Sequence, residues 1–253
     1  MSIDRAEVAA IVLAGGRASR VGGVDKTAFT IGERTLLDRA LDATNGCLAV
    51  TVVGAERPTA RPMTWVREDP PFGGPAAAIV AGLAASSLGA GSDAGSKGSG
   101  SDGPRPDGPR PDGARDPDDS RGTSGDTPWM LVLAADLPGV EAAVERLLYD
   151  AALLPHDTEG VCLADDSGRP QWLTGLYRTA SLQRAATSLA ETNPASGAHG
   201  ASVRALLDDL AIAVVRAPES ETRDVDTWED LEWARSAATD ASTPRTEREP
   251  DDE

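Results

Sequence analysis

Short apolar runs rich in β-branched residues alternate with amphipathic stretches along much of the chain, and this alternation constrains the fold more than any other feature. Val8–Leu13, Leu48–Gly54, Met63–Val66, Trp129–Ala135, Val161–Ala164, Trp172–Tyr177 and Ala211–Ala217 read as strands. Between them, Leu36–Thr44, Pro75–Ser87, Val140–Ala152, Thr179–Glu191, Ser202–Asp209 and Thr227–Ala238 read as helices, the second opened by a proline suited to a first helical turn. Strand then helix, repeated, predicts an α/β fold of three layers, with a mostly parallel sheet covered by helices on both faces. Ligands in such sheets sit beyond the carboxyl ends of the strands, which points to the loops after Leu13, Val66 and Ala135.

The 253 residues suffice for one sizeable domain, expected over 1–238. Its regularity breaks at 89–127, where Gly, Ser, Asp, Pro and Arg replace nearly all apolar residues and Asp102-Gly-Pro-Arg-Pro is repeated as Asp107-Gly-Pro-Arg-Pro. A stretch this polar cannot bury enough surface to offset its ordering entropy, so a disordered surface insertion is expected there. A disordered acidic tail is expected over 239–253. The formal charge of −17 argues against a nucleic-acid partner. No apolar run approaches the roughly 20 residues of a membrane span, and Met1-Ser-Ile-Asp-Arg5 lacks the layout of a signal peptide, so a cytoplasmic location is expected. Cys47 and Cys162 match no metal-ligand spacing, and His156 and His199 belong to no pattern and fall in expected loops.

Against this acidic background, Leu13-Ala-Gly-Gly-Arg-Ala-Ser-Arg-Val-Gly-Gly-Val-Asp-Lys26 places glycines and the cations Arg17, Arg20 and Lys26 directly behind the first strand. Glycine lets backbone N–H groups approach phosphate oxygens, and the cations can follow the charge of a leaving pyrophosphate. Two familiar phosphate loops do not fit. A Walker loop needs glycine before its lysine, where Asp25 stands, and a dinucleotide fingerprint needs G-x-G, whereas Gly15 and Gly16 are adjacent.

The segment resembles the signature L-A-G-G-x-S-x-R-M-G-x-D-K of the MobA-like NTP transferase family, with Val21 at the usual methionine. Its L-A-G-G form is similar to that of the molybdenum cofactor guanylyltransferases. The resemblance continues through Asp25–Asp38, then Glu68-Asp-Pro-Pro-Phe-Gly-Gly-Pro75, Leu133-Ala-Ala-Asp-Leu-Pro138, Gln171–Arg178, and Asp224-Val-Asp-Thr-Trp-Glu-Asp-Leu231. It implies a Rossmann-like nucleotidyltransferase fold. It also implies nucleotide-binding roles for Leu13, Ala14, Gly15, Gly16, Lys26, Asp69, Gly73, Gly74 and Asp136, with Arg20, Lys26 and Asp136 as the catalytic set. Magnesium is the implied cofactor, held by Asp136 with Asp226 as second ligand and Asp224 as the alternative. Asp226 and Thr227 also suit a helix start, with Thr227-x-x-Asp230 as a capping box, so a purely capping role for this segment stays open.

The implied reaction moves GMP from GTP to the phosphate of molybdopterin or molybdenum cofactor, releasing pyrophosphate. A phosphate acceptor is already anionic near neutral pH, so positioning and charge neutralisation are the catalytic tasks. Transient contact with molybdenum cofactor enzymes is implied as well. A cytidylyl or other nucleotidyl transfer to a different phosphorylated acceptor, and a module that only holds nucleotide or pterin, are the alternatives.

Overall fold

The computed structural model describes residues 2–15, 25–89 and 128–242. Gly16, Arg17 and Arg20, most of the expected insertion, and the tail beyond Ser242 lie outside the described residues.

A seven-stranded sheet forms the centre, in the order β5 (Thr64–Val66), β4 (Ala49–Val53), β1 (Val8–Leu13), β6 (Trp129–Ala134), β8 (Pro170–Arg178), β7 (Gly160–Ala164) and β9 (Ile212–Arg216). Every neighbouring pair is parallel except the two made by β8, which runs antiparallel to both β6 and β7. The expected mostly parallel sheet is therefore present, with one reversed strand inside it. A two-stranded antiparallel ribbon, β2 (Thr30–Ile31) and β3 (Arg34–Thr35), lies apart and turns through Gly32 at φ 63°. Two residues per strand leave no periodicity to detect, which is why the alternation of apolar and polar residues did not foretell it.

β1 is buried along its whole length because helices cover both of its faces. Its side chains alternate with period two. Ala9, Ile11 and Leu13 pack under α2 (Pro75–Gly89), α4 (Thr179–Thr192) and α5 (Val203–Leu207). Val8 and Ala10 face α3 (Val140–Ala151), and Val12 meets α1 (Leu36–Ala43). Helix α2 comes very close to the sheet: a Cβ on Gly82 would lie 2.8 Å from Ile11 Cγ2.

The N-terminus of α1 is closed by a capping box in which Thr35 Oγ1 accepts from Asp38 N at 3.0 Å and donates to Asp38 Oδ2 at 2.7 Å. The short α6 (Glu219–Thr222) then leads into α7 (Trp228–Ser242). Helix α7 packs Leu231 and Ala234 with Phe29, Ile31, Leu36 and Val225 in a small separate core. It runs through residues 239–242, which correct the expected start of the tail. Thr239 Oγ1 still donates to Arg235 O at 3.0 Å, one helical turn back. Likewise Gly89, expected to open the insertion, is the last residue of α2.

This arrangement levels the strand ends that matter. Leu13 pairs with Val53 on one side and Ala134 on the other, and Val53 pairs with Val66. The loops after β1, β4, β5 and β6 therefore leave the sheet along one edge.

Candidate active site

Three backbone bonds extend the ladder past the strand ends. Ala14 N donates to Val53 O at 2.9 Å, Ala135 N to Leu13 O at 3.1 Å and Gly54 N to Val66 O at 2.9 Å. The resulting floor is bare of side chains at its tightest point, since a Cβ on Gly54 would lie 2.8 Å from Ala14 O. Above it opens a cleft of about 830 Å³. Leu13, Ala14, Gly15, Lys26, Gly74 and Asp136, all expected from the sequence, line it.

At one end of the cleft Asp25 builds the turn that carries Lys26. Thr27 donates to Asp25 Oδ1 from its backbone N at 3.0 Å and from its hydroxyl at 2.7 Å, capping the short 3-10 turn Lys26–Ala28. Arg57, from the loop after β4, braces the same turn, with Nη1 2.7 Å from Asp25 Oδ2 and 2.9 Å from Thr27 Oγ1. Burial pushes the Asp25 carboxyl up, but the Thr27 bonds and the Arg57 charge outweigh it and hold the acid below its ordinary value. Arg57 was not singled out from the sequence, because no local motif surrounds it; its role depends on a loop that brings it back to Asp25.

Opposite Lys26 stand three carboxylates. Asp136 follows β6, and its carbonyl accepts from Val225 N at 3.0 Å, which draws the segment Asp224–Asp226 against it. One carboxylate oxygen from each of Asp136, Asp224 and Asp226 lies within 4.8 Å of the others. Lys26 Nζ donates to Asp226 Oδ1 in a hydrogen-bonded ion pair. Burial, then the neighbouring Asp224 charge, pushes Asp136 up to about 6. Asp224 is raised as well, by burial and by Asp226. Oxygen-only donors whose mutual repulsion Lys26 offsets only in part suit a hard divalent cation, which needs only one or two protein carboxylates and keeps several waters.

At the start of α7 the capping alternative holds for Thr227 and Asp230. Thr227 and Asp230 form the capping box: Asp230 Oδ2 accepts from Thr227 N at 2.8 Å and from Asp226 N at 3.1 Å. The Asp226 side chain turns to Lys26 instead. The whole segment is anchored from behind by the Arg146 and Glu221 pair, 2.8 Å between Nη2 and Oε1, and by Gly139, where a Cβ would lie 1.8 Å from Ser220 O.

The other end of the cleft is walled by Arg67, Glu68, Pro71, Phe72, Pro75 and Ala78. Phe72 is exposed and holds φ 63°, a region a non-glycine residue rarely adopts. Gly73 is buried beneath it, with room for no side chain, since a Cβ would lie 2.7 Å from Ala77 Cβ and 2.9 Å from His199 Nδ1. Its carbonyl accepts from Gly200 N at 2.8 Å, so the loop after α4 clasps this one. Asp69 and Gly73 thus lie in the expected loop but off the cleft wall, and the wall carboxylate is Glu68. Glu68 sits next to Asp69 in the motif read from the sequence, yet only the loop's path distinguishes the two.

A bare strand-edge floor, a lysine and converging carboxylates at the C-terminal edge of a parallel sheet are the elements of a nucleotidyltransferase. The chain belongs to the family of MobA-like NTP transferase domains, which matches residues 10–211. No curated protein sequence matches it. Among solved structures it is similar to molybdopterin-guanine dinucleotide biosynthesis protein A from Archaeoglobus fulgidus, at 16% identity and TM-score 0.53, covering 92% of this chain and 99% of that one. It is also similar to 2-C-methyl-D-erythritol 4-phosphate cytidylyltransferase from Thermus thermophilus, at 17% identity and TM-score 0.55, over 94% and 100%. The manganese complex of Rv0371c from Mycobacterium tuberculosis aligns at 14% identity and TM-score 0.51, over 91% and 98%. At these identities the similarity establishes the fold. No helix among the described residues is long and apolar enough to cross a membrane.

Proposed function

We propose that the protein transfers GMP from magnesium-bound GTP to the terminal phosphate of molybdopterin or molybdenum cofactor, with release of pyrophosphate. The observation that carries this reading is the meeting of Lys26 with the carboxylates of Asp136, Asp224 and Asp226 at the edge of a cleft floored by Leu13, Ala14, Gly15 and Gly54. The related guanine dinucleotide protein of Archaeoglobus fulgidus adds support for the guanylyl acceptor, and the manganese complex of the mycobacterial relative for a divalent metal.

Asp136 and Asp226 hold the metal, which when bound supplies Lewis-acid neutralisation of the triphosphate. Lys26 carries positive charge to the triphosphate, and its braced turn keeps the ammonium at the cleft wall. The floor formed by Leu13 to Gly15 lets the nucleoside lie against backbone, and glycine at 54 lets the loop after β4 pack directly against the Ala14 backbone in that floor. The acceptor phosphate attacks the α-phosphorus in line; a new P–O bond forms as the bond to pyrophosphate breaks. No protein group need take a proton from that nucleophile.

The test is pyrophosphate release with magnesium and each of GTP, CTP, ATP and UTP, with and without molybdopterin. Release confined to GTP with molybdopterin is the expected result. CTP-dependent release moves the protein to cytidylyl transfer, a reading the Thermus thermophilus relative would favour.

A further inference from the structure

Strand β8 leaves its ladder where the cleft opens. Cys162 of β7 pairs with Gly175, but the next residue, Leu163, pairs with Gln171, so Trp172, Leu173 and Thr174 bulge with no residue of β7 opposite them. Thr174 still faces Leu133 of β6, which leaves Leu173 level with Ala134, and both line the cleft. Bulges next to active sites re-aim side chains in this way. One buried side chain holds the bulge: Tyr177 Oη donates to Trp172 O at 2.7 Å, and Tyr177 is fully buried and does not itself line the cleft. Its ring occupies space left by two glycines. A Cβ on Gly175 would lie 2.5 Å from Tyr177 Oη, and one on Gly160, the partner of Tyr177 on β7, 2.6 Å from its Cδ1. Burial, then Cys162 beside it, pushes the phenol well above its ordinary value, so the hydroxyl stays a donor.

The cleft lining follows the strand order. Arg67 and Glu68 come after β5, Gly54 after β4, Leu13 to Gly15 from the end of β1, Asp136 after β6 and Leu173 from β8. Adjacent strands lie about 4.8 Å apart, so Leu173 and the floor formed by β1 and β4 stand on opposite sides of Asp136. With the nucleoside over that floor and the metal at Asp136, the wall left for the acceptor is the one β8 supplies. Resting on the transfer reading above, we propose that Tyr177 is a positioning residue for the acceptor: through its bond to Trp172 O it holds the β8 bulge that sets Leu173 against the acceptor molecule. The Leu173 side chain is apolar, so it meets an uncharged part of the acceptor and leaves the acceptor phosphate to the α-phosphorus. Loss of the hydroxyl leaves a carbonyl without its buried donor, and the bulge shifts to find another.

The experiment is steady-state kinetics of the full chain with magnesium, varying molybdopterin at saturating GTP and GTP at saturating molybdopterin, on wild type, Tyr177→Phe and Leu173→Ala, with thermal melts of each. Tyr177→Phe should melt lower and raise KM for molybdopterin on the order of tenfold, the equivalent of one lost hydrogen bond, while KM for GTP stays at the wild-type value. Leu173→Ala, which trims the wall directly, should raise KM for molybdopterin in the same selective way. A Tyr177→Phe protein that melts lower with both KM values unchanged, or with both raised together, makes Tyr177 a purely structural residue and overturns the assignment. A Leu173→Ala protein with an unchanged KM for molybdopterin places the acceptor elsewhere and overturns it too. Wild type that turns over no molybdopterin overturns the transfer reading itself, before any variant is compared, and this assignment with it.

Discussion

Lys26 and Asp226, 200 positions apart in sequence, form a hydrogen-bonded ion pair that joins the first loop of the sheet to the start of the last helix. The ammonium stands beside three converging carboxylates and offsets part of their mutual repulsion. On the proposed function this one side chain would have two tasks, neutralising the carboxylates in the metal-free protein and meeting the triphosphate when nucleotide binds.

Lys26→Ala should separate these tasks. Pyrophosphate release should fall by on the order of a hundredfold to a thousandfold, the usual cost of removing one group that stabilises transition-state charge. The metal-free variant should also melt lower than wild type, and millimolar magnesium should restore more of that loss than it adds to wild type. Thermal melts with chelator and with magnesium, run beside the release assay, check both halves. A variant with near-normal turnover would remove Lys26 from the catalytic set.

Asp136→Asn should act in the opposite direction on stability. Burial and the Asp224 charge both disfavour the Asp136 carboxylate, so a neutral amide relieves a cost that the metal-free fold carries. The variant should melt higher than wild type in chelator, lose the magnesium-dependent rise in melting temperature and lose turnover. Lower stability in chelator would mean that the acid is held by contacts other than repulsive ones.

How far these residues were legible in the sequence depends on whether a partner is near in the chain. Val8–Leu13 and Trp129–Ala135 were legible as strands because burial on both faces demands an unbroken apolar run. The reversal of β8 left no such mark, since an antiparallel strand buried in a sheet carries the same residues as a parallel one. Thr227 and Asp230 were readable as a cap from their spacing alone, whereas the turn of Asp226 away from that cap depends on Lys26, which no local pattern could supply. Glu68 and Asp69 are adjacent carboxylates, and only the course of the loop sends the first to the cleft and the second to solvent.

Arg57→Ala should loosen the Lys26 turn without touching the fold of the sheet. Its Nη1 meets Asp25 Oδ2 at 2.7 Å and Thr27 Oγ1 at 2.9 Å, so a single cationic nitrogen makes both contacts. Arg57→Ala should lower kcat/KM by about tenfold, corresponding to the loss of about 1.4 kcal/mol of transition-state stabilisation, whereas Arg57→Lys, which offers one cationic nitrogen to the same two oxygens, should lose less. Steady-state kinetics with saturating acceptor tests this, and a lysine variant as impaired as the alanine one would show that the planar guanidinium itself is required.

Gly139→Ala should disable the site from a distance. The added Cβ would overlap Ser220 O, a backbone atom that can retreat only if α6 moves, and α6 leads directly into Asp224–Asp226. Overpacking of this kind costs about 1–3 kcal/mol. The expected signature is a lowered melting temperature together with weaker magnesium binding, while Arg146→Lys, which keeps a cation beside Glu221, should lose less of both.

Acid sensitivity of the last helix follows from Asp230. Burial would raise its pKa, but the Thr227 hydrogen bonds and the Arg223 ion pair, 2.9 Å from Nη2 to Oδ1, outweigh that and lower it. A carboxyl that binds its proton less tightly when folded contributes stability that is present above the ordinary value of about 4 and is lost as pH falls through the lowered folded value. Asp230→Asn should therefore cost about 1 kcal/mol at neutral pH, as loss of a helix cap does, and should flatten the decline in stability below about pH 4. Urea melts of both proteins from neutral to acid pH measure the difference. A constant gap between them across the acid limb would show that Asp230 serves the helix through geometry alone and that its charge contributes nothing.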